Sequence, residues 1–319
     1  MAGVSSKAPA FFNTRPTMSD FDNAVSPTPR ACVPALDAIL GKPFKVLDDG
    51  FVRAVDYMGS DASIVQAARV SYGTGTKRVS EDKSLVAYLM RHQHTTPFEM
   101  VELKFLVKLP IFVARQWIRH RTANVNEMSG RFSVMEDEFY LPAEPDVRYQ
   151  SATNRQGSSA EEVPPELRRR VLETLRAGAA RAYGEYEEMI ERNIARELAR
   201  IHLPVSLYTQ WYWKIDLHNL LHFLQLRMDE HAQYEIRVYA RAMARIVKDV
   251  VPWTWEAFEE FRLHAQRFSR SELLVLGQLL RGEPVRLPES LLKGGRRREF
   301  EEKLRVLGVD PARVLPPVE

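Results

Sequence analysis

Arg119-His120-Arg121-Thr122-Ala123-Asn124-Val125-Asn126-Glu127-Met128-Ser129-Gly130-Arg131 is the stretch on which the reading of this chain turns. It carries four cationic or cationisable side chains, a carboxylate, two amides and two hydroxyls. Such a run is buried only where its donors and acceptors find partners. It follows a segment that starts at Pro110 and has the spacing of an amphipathic helix, so a stiff element delivers it to one place. Arg119 and Arg121 on either side of His120 make a compact phosphate receptor, because guanidinium binds phosphate oxygens bidentately. Three basic residues in a row, taken alone, read as a solvated loop. The apolar context, Ile111-Phe112-Val113 before and Phe132-Ser133-Val134 after, predicts instead a polar pocket inside a core, the setting in which ligands bind.

Working outward, the spacing is Arg-His-Arg, seven residues, Ser129, one residue, Arg131, with Asn126-Glu127 inside. This pattern resembles the signature of the flavin-dependent thymidylate synthases (ThyX). Ala68-Arg69-Val70-Ser71, His94-x-Thr96-Pro97-x-Glu99, Ala199-Arg200-x-x-Leu203-Pro204, Leu226-Arg227 and His231-Ala232-Gln233-x-Glu235-Ile236 match further family segments in the same order. The chain departs from the usual pattern at Asn124, where the family has Ser. It departs again at Asp216, His218 and His222, where family members often carry Asn, Arg and Asn. The resemblance spans about residues 44 to 261.

The resemblance implies reductive methylation of dUMP to dTMP. Methylenetetrahydrofolate would give the carbon and FADH2, regenerated by NADPH, the hydride, with FAD bound between subunits of a homotetramer. Carried over by position, the flavin contacts are Ser71, His94, Thr96, Arg119, His120, Arg121, Asn126, Glu127, Asp216, His218 and His222. The nucleotide contacts are Gln116, Arg119, Glu127, Ser129, Gly130, Arg131, Arg200 and Arg227. Arg227 is the expected catalytic group, and Ser129 a catalytic-site hydrogen-bonding group, not a covalent nucleophile. Arg200 is expected to reach the nucleotide of a neighbouring subunit, and His231 and Glu235 to be structural. The expected fold is α+β, an antiparallel or mixed sheet flanked by long helices. No Gly-x-Gly-x-x-Gly loop occurs, so a Rossmann domain is not expected.

Composition narrows the chemistry. Unrelated thymidylate synthases activate uracil by adding a cysteine thiolate; the only cysteine among these 319 residues, Cys32, falls in an expected leader. The ring must therefore be activated electrostatically, by a preorganised guanidinium beside its carbonyls. A lone cysteine also fits a reducing, cytoplasmic location. Formal net charge is only +3, so any basic site is local and nucleic-acid binding gains no support. Hydrophobic and charged fractions of 45% and 27% are those of a globular protein, and no apolar run approaches the roughly 18 residues of a membrane span.

In chain order, residues 1–42 read as a mobile leader, an ordinary disordered extension more than a transit peptide. Phe44 to Leu47 and Phe51 to Tyr57 read as a hairpin about Asp48-Asp49-Gly50. Ser60-Asp61 caps a helix from Ile64 to Val70, Gly73 to Gly75 forms a turn, and Ser80 opens another helix. Val101 to Leu109 alternates as a half-buried strand, and Pro110 starts the helix that places Gln116 and Arg119 on one face. Residues 144–165 read as a long mobile loop, a flap beside the site, and Glu166 to Ala199 as a solvated helix. Ser206 is expected to cap a helix packed with Tyr208, Trp211, Tyr212 and Trp213. Helices are expected from Asp229 to Val250 and Trp253 to Phe261. Residues 262–319, including Arg296-Arg297-Arg298, read as a helical, solvated C-terminal extension around a catalytic domain of 43–261.

Two other classes compete. A metal-dependent hydrolase could use His92, His94, His218 and His222, the last pair four residues apart on a helical face. No Glu follows the first histidine, so the zinc-protease motif is absent, and no metal site is expected. A non-catalytic nucleotide- or RNA-binding protein could use the same arginines and would show strongly salt-dependent binding.

Overall fold

The structure, a computed structural model, describes residues 31–70, 79–151 and 157–317. Ser71, the Gly73–Gly75 turn, most of the expected leader and the middle of the 144–165 segment lie outside these residues. The expected hairpin is present: β1 (Pro43–Val46) pairs antiparallel with β2 (Gly50–Met58), and Leu47 takes a left-handed φ of 59° in the turn. Gly50 is required there, since a Cβ would come 1.9 Å from Tyr239 Oη. Just ahead of the hairpin, Leu36 is fully buried in the main core and the Val33 N–H donates to Tyr57 Oη at 2.6 Å. The packed region therefore reaches back into the stretch read as leader.

Two helices follow, α1 (Asp61–Val70) and α2 (Val79–Arg91). The alternating run then forms β3 (Glu102–Pro110), with Leu103, Phe105, Val107 and Leu109 all buried. Pro110 ends the strand and precedes α3 (Ile111–Trp117), which stops two residues before Arg119. Gln116 and Arg119 thus do not share a helical face. Beyond α3, Asn124–Glu127 forms a short strand, β4. The 144–165 segment holds a small hairpin, β5 (Arg148–Gln150) with β6 (Ser158–Glu162), in place of a structureless loop. The long solvated helix is α4 (Pro165–Glu191), separated from a short turn at Arg196–Ala199.

The expected aromatic helix after Ser206 is instead a strand, β7 (Tyr208–Asp216). The physical reason is its period: Trp211, Trp213 and Ile215 are buried while Tyr212 is exposed and Gln210 and Lys214 half-exposed. Aromatic and β-branched residues fit a pleated, half-buried surface. β7 pairs with β3 along its whole length, Phe105 facing Trp213, and β4 pairs with its other edge. The sheet order is β1-β2-β3-β7-β4, and among the described residues every pairing is antiparallel, so the fold is α+β with no doubly wound sheet there.

After β7 come α5 (Leu217–Arg227), α6 (Tyr234–Val250) and α7 (Pro252–Phe258). The α6 helix starts five residues later than the sequence reading from Asp229, and packs across β1, β2 and α3. Asp61 does not cap its own helix as expected. Its buried carboxylate accepts from the Trp253 and Thr254 N–H groups at 2.8 and 3.1 Å and so caps α7. The C-terminal region is no solvated tail. Val275 on α8 (Arg270–Leu280) and Phe300 and Leu304 on α9 (Gly295–Val306) form a second core with Leu291 and Leu315. Arg297, read as part of a basic surface run, is 5% exposed and bonded to Glu301 and the Pro316 carbonyl. Among the described residues no helix is long and apolar enough to cross a membrane.

Candidate active site

The arginine stretch begins where the core is most aromatic. Trp117, the last residue of α3, is fully buried, stacked on Phe223 at 4.7 Å and edge-on to Trp211, Trp213 and Tyr239 at 5.8, 5.2 and 5.9 Å. Rings from α3, β7, α5 and α6 thereby fix the point from which the next residues depart. Those residues are not in a pocket inside the core, as the flanking apolar residues predicted. Asn124 to Met128 are exposed along the outer strand of the sheet, and Phe132 is 77% exposed. The apolar residues after the motif face outward in a single chain.

Immediately past Trp117, His120 meets Arg227 at the end of α5. Arg227 Nε donates to His120 Nε2 at 3.0 Å and its Nη2 to the Gln116 carbonyl at 3.5 Å. The His120 ring also lies edge-on to Phe223 at 4.9 Å and 6.1 Å from the His222 ring. Burial first, then the Arg227 charge and His222, lower the His120 pKa from 6.5 to about 4. The imidazole is therefore neutral at pH 7, with its Nε2 lone pair accepting and its proton on Nδ1. Burial and the charge of Arg119 also lower the basicity of Arg227, but a guanidinium remains charged at neutral pH. Arg115, Gln116, Arg119, Arg121 and Arg227 line an open cleft of about 640 Å³. Among the described residues none of these four arginines forms a salt bridge, so the cleft presents uncompensated positive charge. Gln116 is held by Gln233, whose Oε1 accepts from its Nε2.

Arg227 also borders a second cleft, of about 740 Å³, that includes His218 and His222. This cleft shares both histidines and Arg262 with a narrow recess of about 60 Å³ that His94 lines. The expected flavin contacts His94, His218 and His222 therefore come together. Thr96 is exposed at the start of a 3-10 turn, and its neighbour Thr95 is the threonine that lines the recess. Asp216 caps α5, accepting from Asn219 N–H at 2.9 Å and Asn219 Nδ2 at 2.7 Å, and does not line the recess. His92 and His94 pack on Tyr88 at 4.3 and 5.8 Å. Among the described residues no group of three or more His, Cys, Asp or Glu side chains is placed to hold a metal ion.

Ser129, Gly130, Arg131 and Arg200 form a separate group. Ser129 Oγ accepts from the Arg131 N–H at 3.3 Å, and Arg131 pairs with Glu197 at 3.0 Å. Gly130 is buried against Arg200, whose Cδ would lie 3.1 Å from a Cβ placed there. On β4 between the two groups, Asn126 faces Tyr212, and Glu127 accepts from Thr209 Oγ1 at 2.7 Å. Neither Arg131 nor Arg200 lines the two clefts that Arg227 borders. His231 accompanies its neighbour Asp229, and Glu235 accepts from Tyr140 Oη at 3.2 Å.

Sequence reasoning missed Arg115, Thr95, Arg262 and Arg267 as lining residues, and the bond from Arg227 to His120. For Thr95 and Arg115, adjacency to matched positions was the available signal. Arg262 and Arg267 carried none, because they lie past the last recognisable motif.

Comparison with known proteins accords with this geometry. The profile described as thymidylate synthase complementing protein matches residues 53–253. A flavin-dependent thymidylate synthase of Rickettsia conorii is 53% identical over 293 residues, covering 88% of this chain and 99% of the relative. One from Ruegeria pomeroyi is 56% identical over 281 residues, covering 87% of this chain and 93% of the relative. Among solved structures, the UMP/dUMP methylase PolB from Streptomyces cacaoi, bound with 5-Br dUMP, aligns with a TM-score of 0.61 at 32% identity. It covers 68% of this chain and 98% of PolB. The Rickettsia and Ruegeria relatives therefore match more of the chain than PolB does. By profile, by identity and by fold, the chain belongs to the family of flavin-dependent thymidylate synthases.

Proposed function

We propose that the chain methylates dUMP to dTMP in the arginine-lined cleft, with Arg227 as the group that activates the pyrimidine. The observation that carries this reading is the fixing of Arg227 by a neutral His120 and the Gln116 carbonyl, at the junction of the two clefts. A guanidinium oriented in advance stabilises charge developing on the uracil carbonyls without reorganising, an effect commonly worth a few kcal/mol. The donor set fits a flavin dinucleotide. Arginines without salt-bridge partners suit the anionic groups of flavin and nucleotide, and the recess formed by His94, His218 and His222 offers hydrogen-bonding groups beside apolar Leu89 and Phe258. When bound, reduced FAD supplies the hydride, methylenetetrahydrofolate the one-carbon unit, and NADPH the reducing equivalents. Arg119, His120 and Arg121 hold the flavin side of the cleft; Ser129, Gly130, Arg131 and Arg200, with Gln116 and Glu127, hold the nucleotide.

The two arginine groups are proposed to meet one nucleotide across subunits of a homotetramer. Supporting it, Phe132, Leu198, Ile201 and Val205 are 77%, 58%, 78% and 60% exposed beside Arg131 and Arg200. Apolar surface of this kind marks contact between proteins. A cytoplasmic location is in keeping with the single free thiol, exposed Cys32.

The purified protein is expected to be yellow, and NADPH to bleach its flavin faster when dUMP is present. Arg227→Ala should keep the fold and lose at least ~100-fold in dTMP formation, whereas Cys32→Ala retains it. Colourless protein that takes up no added FAD, or a folded but inactive Cys32→Ala variant, would overturn the reading.

A further inference from the structure

We propose that Arg262 and Arg267 form an anion subsite at the outer end of the flavin cleft that takes a phosphate group of a bound dinucleotide. Both residues lie beyond the 53–253 segment matched by the family profile. The proposal rests on the flavin reading above and adds a binding element to it.

Three observations carry it. Arg262 lines both the narrow recess with His94, His218 and His222 and the wider cleft with Arg227, while Arg267 lines the wider cleft alone. Arg262 therefore stands where the two meet, with Arg267 in the wider cleft. Second, positive charge is in excess there. Among the described residues neither arginine forms a salt bridge, and the wider cleft sets Arg227, Arg262 and Arg267 against one carboxylate, Asp229, which accepts from the backbone and ring nitrogens of His231 at 2.8 Å. Third, Arg262 is held in place. It sits in the wide helical turn Glu259–Leu263 that continues α7, its carbonyl accepts from Gln225 Nε2 at 3.1 Å, and its side chain is half-buried. The start of α7 is in turn fixed by the Asp61 cap.

Two like charges near each other, one of them half-buried, raise each other's energy. In keeping with this, burial first and Arg267 second lower the basicity of Arg262. A pyrophosphate or a phosphate monoester, with about two negative charges and a fan of acceptor oxygens, relieves both guanidinium groups at once. A single carboxylate would compensate only one of them. An exposed arginine such as Arg267 would by itself read as solvated surface; its pairing with the half-buried Arg262 at a cleft lined by flavin-site residues makes the difference. The phosphate has two sources within this chemistry, the pyrophosphate of FAD and the 2′-phosphate of NADPH.

The test uses the full-length chain with Arg262→Gln, Arg267→Gln, the double variant and the charge-retaining Arg262→Lys. FAD affinity is read by flavin fluorescence on apoprotein, and flavin reduction by stopped flow with NADPH or NADH. Each arginine removed should weaken one of these by roughly 10-fold, as for hydrogen bonds to charged groups, and Arg262→Lys should recover part of the loss. A raised FAD dissociation constant with normal NADPH saturation assigns the pyrophosphate. A raised NADPH saturation constant, with NADH and FAD unaffected, assigns the 2′-phosphate. Both constants within about twofold of wild type in a double variant with an unchanged melting curve would overturn the subsite, as would a loss confined to the folate. If Arg262→Gln does not fold, Arg267→Gln decides alone, because that side chain is exposed. Wild-type protein that binds no FAD would instead sink the flavin reading, and the subsite with it.

Discussion

Trp117→Phe and Trp117→Ala together test whether the aromatic box positions the arginine loop. Trp117 is fully buried among four rings at 4.7 to 5.9 Å, and among the described residues its indole Nε1 has no hydrogen-bond partner. Truncating a buried Trp to Ala usually costs about 3–5 kcal/mol through lost contacts and the cavity left behind. A buried donor without a partner is itself a penalty of roughly 1–3 kcal/mol, which the substitution removes. Trp117→Ala should therefore fall near the low end, about 3 kcal/mol. Trp117→Phe keeps a ring on Phe223 and also removes the orphan N–H. Its smaller void costs on the order of 1 kcal/mol at about 24 cal/mol per Å³, so the two effects nearly cancel and stability should stay within about 1 kcal/mol of wild type. Urea unfolding of apoprotein, followed by circular dichroism at one fixed concentration, measures both. Turnover should follow the packing: near normal in Trp117→Phe, and reduced in Trp117→Ala because the base of the Arg119–Arg121 loop is no longer held. If Trp117→Phe is as destabilised as Trp117→Ala, the unpartnered N–H carries no penalty and the argument fails. Full activity in a folded Trp117→Ala protein would show that the box does not set the loop.

His120 should titrate near pH 4 in ligand-free protein, against 6.5 for a free imidazole, and its pKa should rise when Arg227 is replaced by Ala. Because the folded-state value is depressed, its contribution to stability is fully present above about pH 6.5 and is lost as pH falls towards 4. Histidine C–H resonances followed by NMR against pH check this, and a midpoint near 6.5 rejects the neutral acceptor. Gly130→Ala should fold, because the nearest atoms to the new Cβ, Met135 Sδ at 2.9 Å and Arg200 Cδ at 3.1 Å, belong to unbranched side chains that can shift. It should weaken dUMP binding by roughly 10-fold by displacing the Arg200 guanidinium; unchanged affinity in calorimetry would remove Arg200 from the site.

Local periodicity was enough for much of the fold. The alternation of Leu103, Phe105, Val107 and Leu109 specified β3, and Pro110 marked the passage into α3. β7 was misread because Tyr208, Trp211, Tyr212 and Trp213 were weighed as a cluster, when their two-residue period was the informative feature. β4 left almost no signal, since a four-residue outer strand with every side chain exposed has no buried face to betray it. The same gap explains the misplaced pocket. Apolar residues such as Phe132 and Val134 look alike in sequence whether a core or another subunit is to cover them. Arg297 shows the converse: three consecutive arginines on a helix point in different directions, so one can be buried with Glu301 while its neighbours stay wet. In the cleft, Arg119, Arg121 and Arg227 were legible only as positions in the motifs shared with the family, whereas the His120 contact to Arg227 depends on a tertiary approach 107 residues apart.

The separation of the two arginine groups within one chain has a genetic consequence. In the tetramer proposed above, each copy contributes one half of a reaction centre to a neighbour and completes another with its own second half. A population mixing two dead forms, one damaged at Arg227 and the other at Arg200, would regain some working centres, because hybrid contacts reunite the undamaged halves.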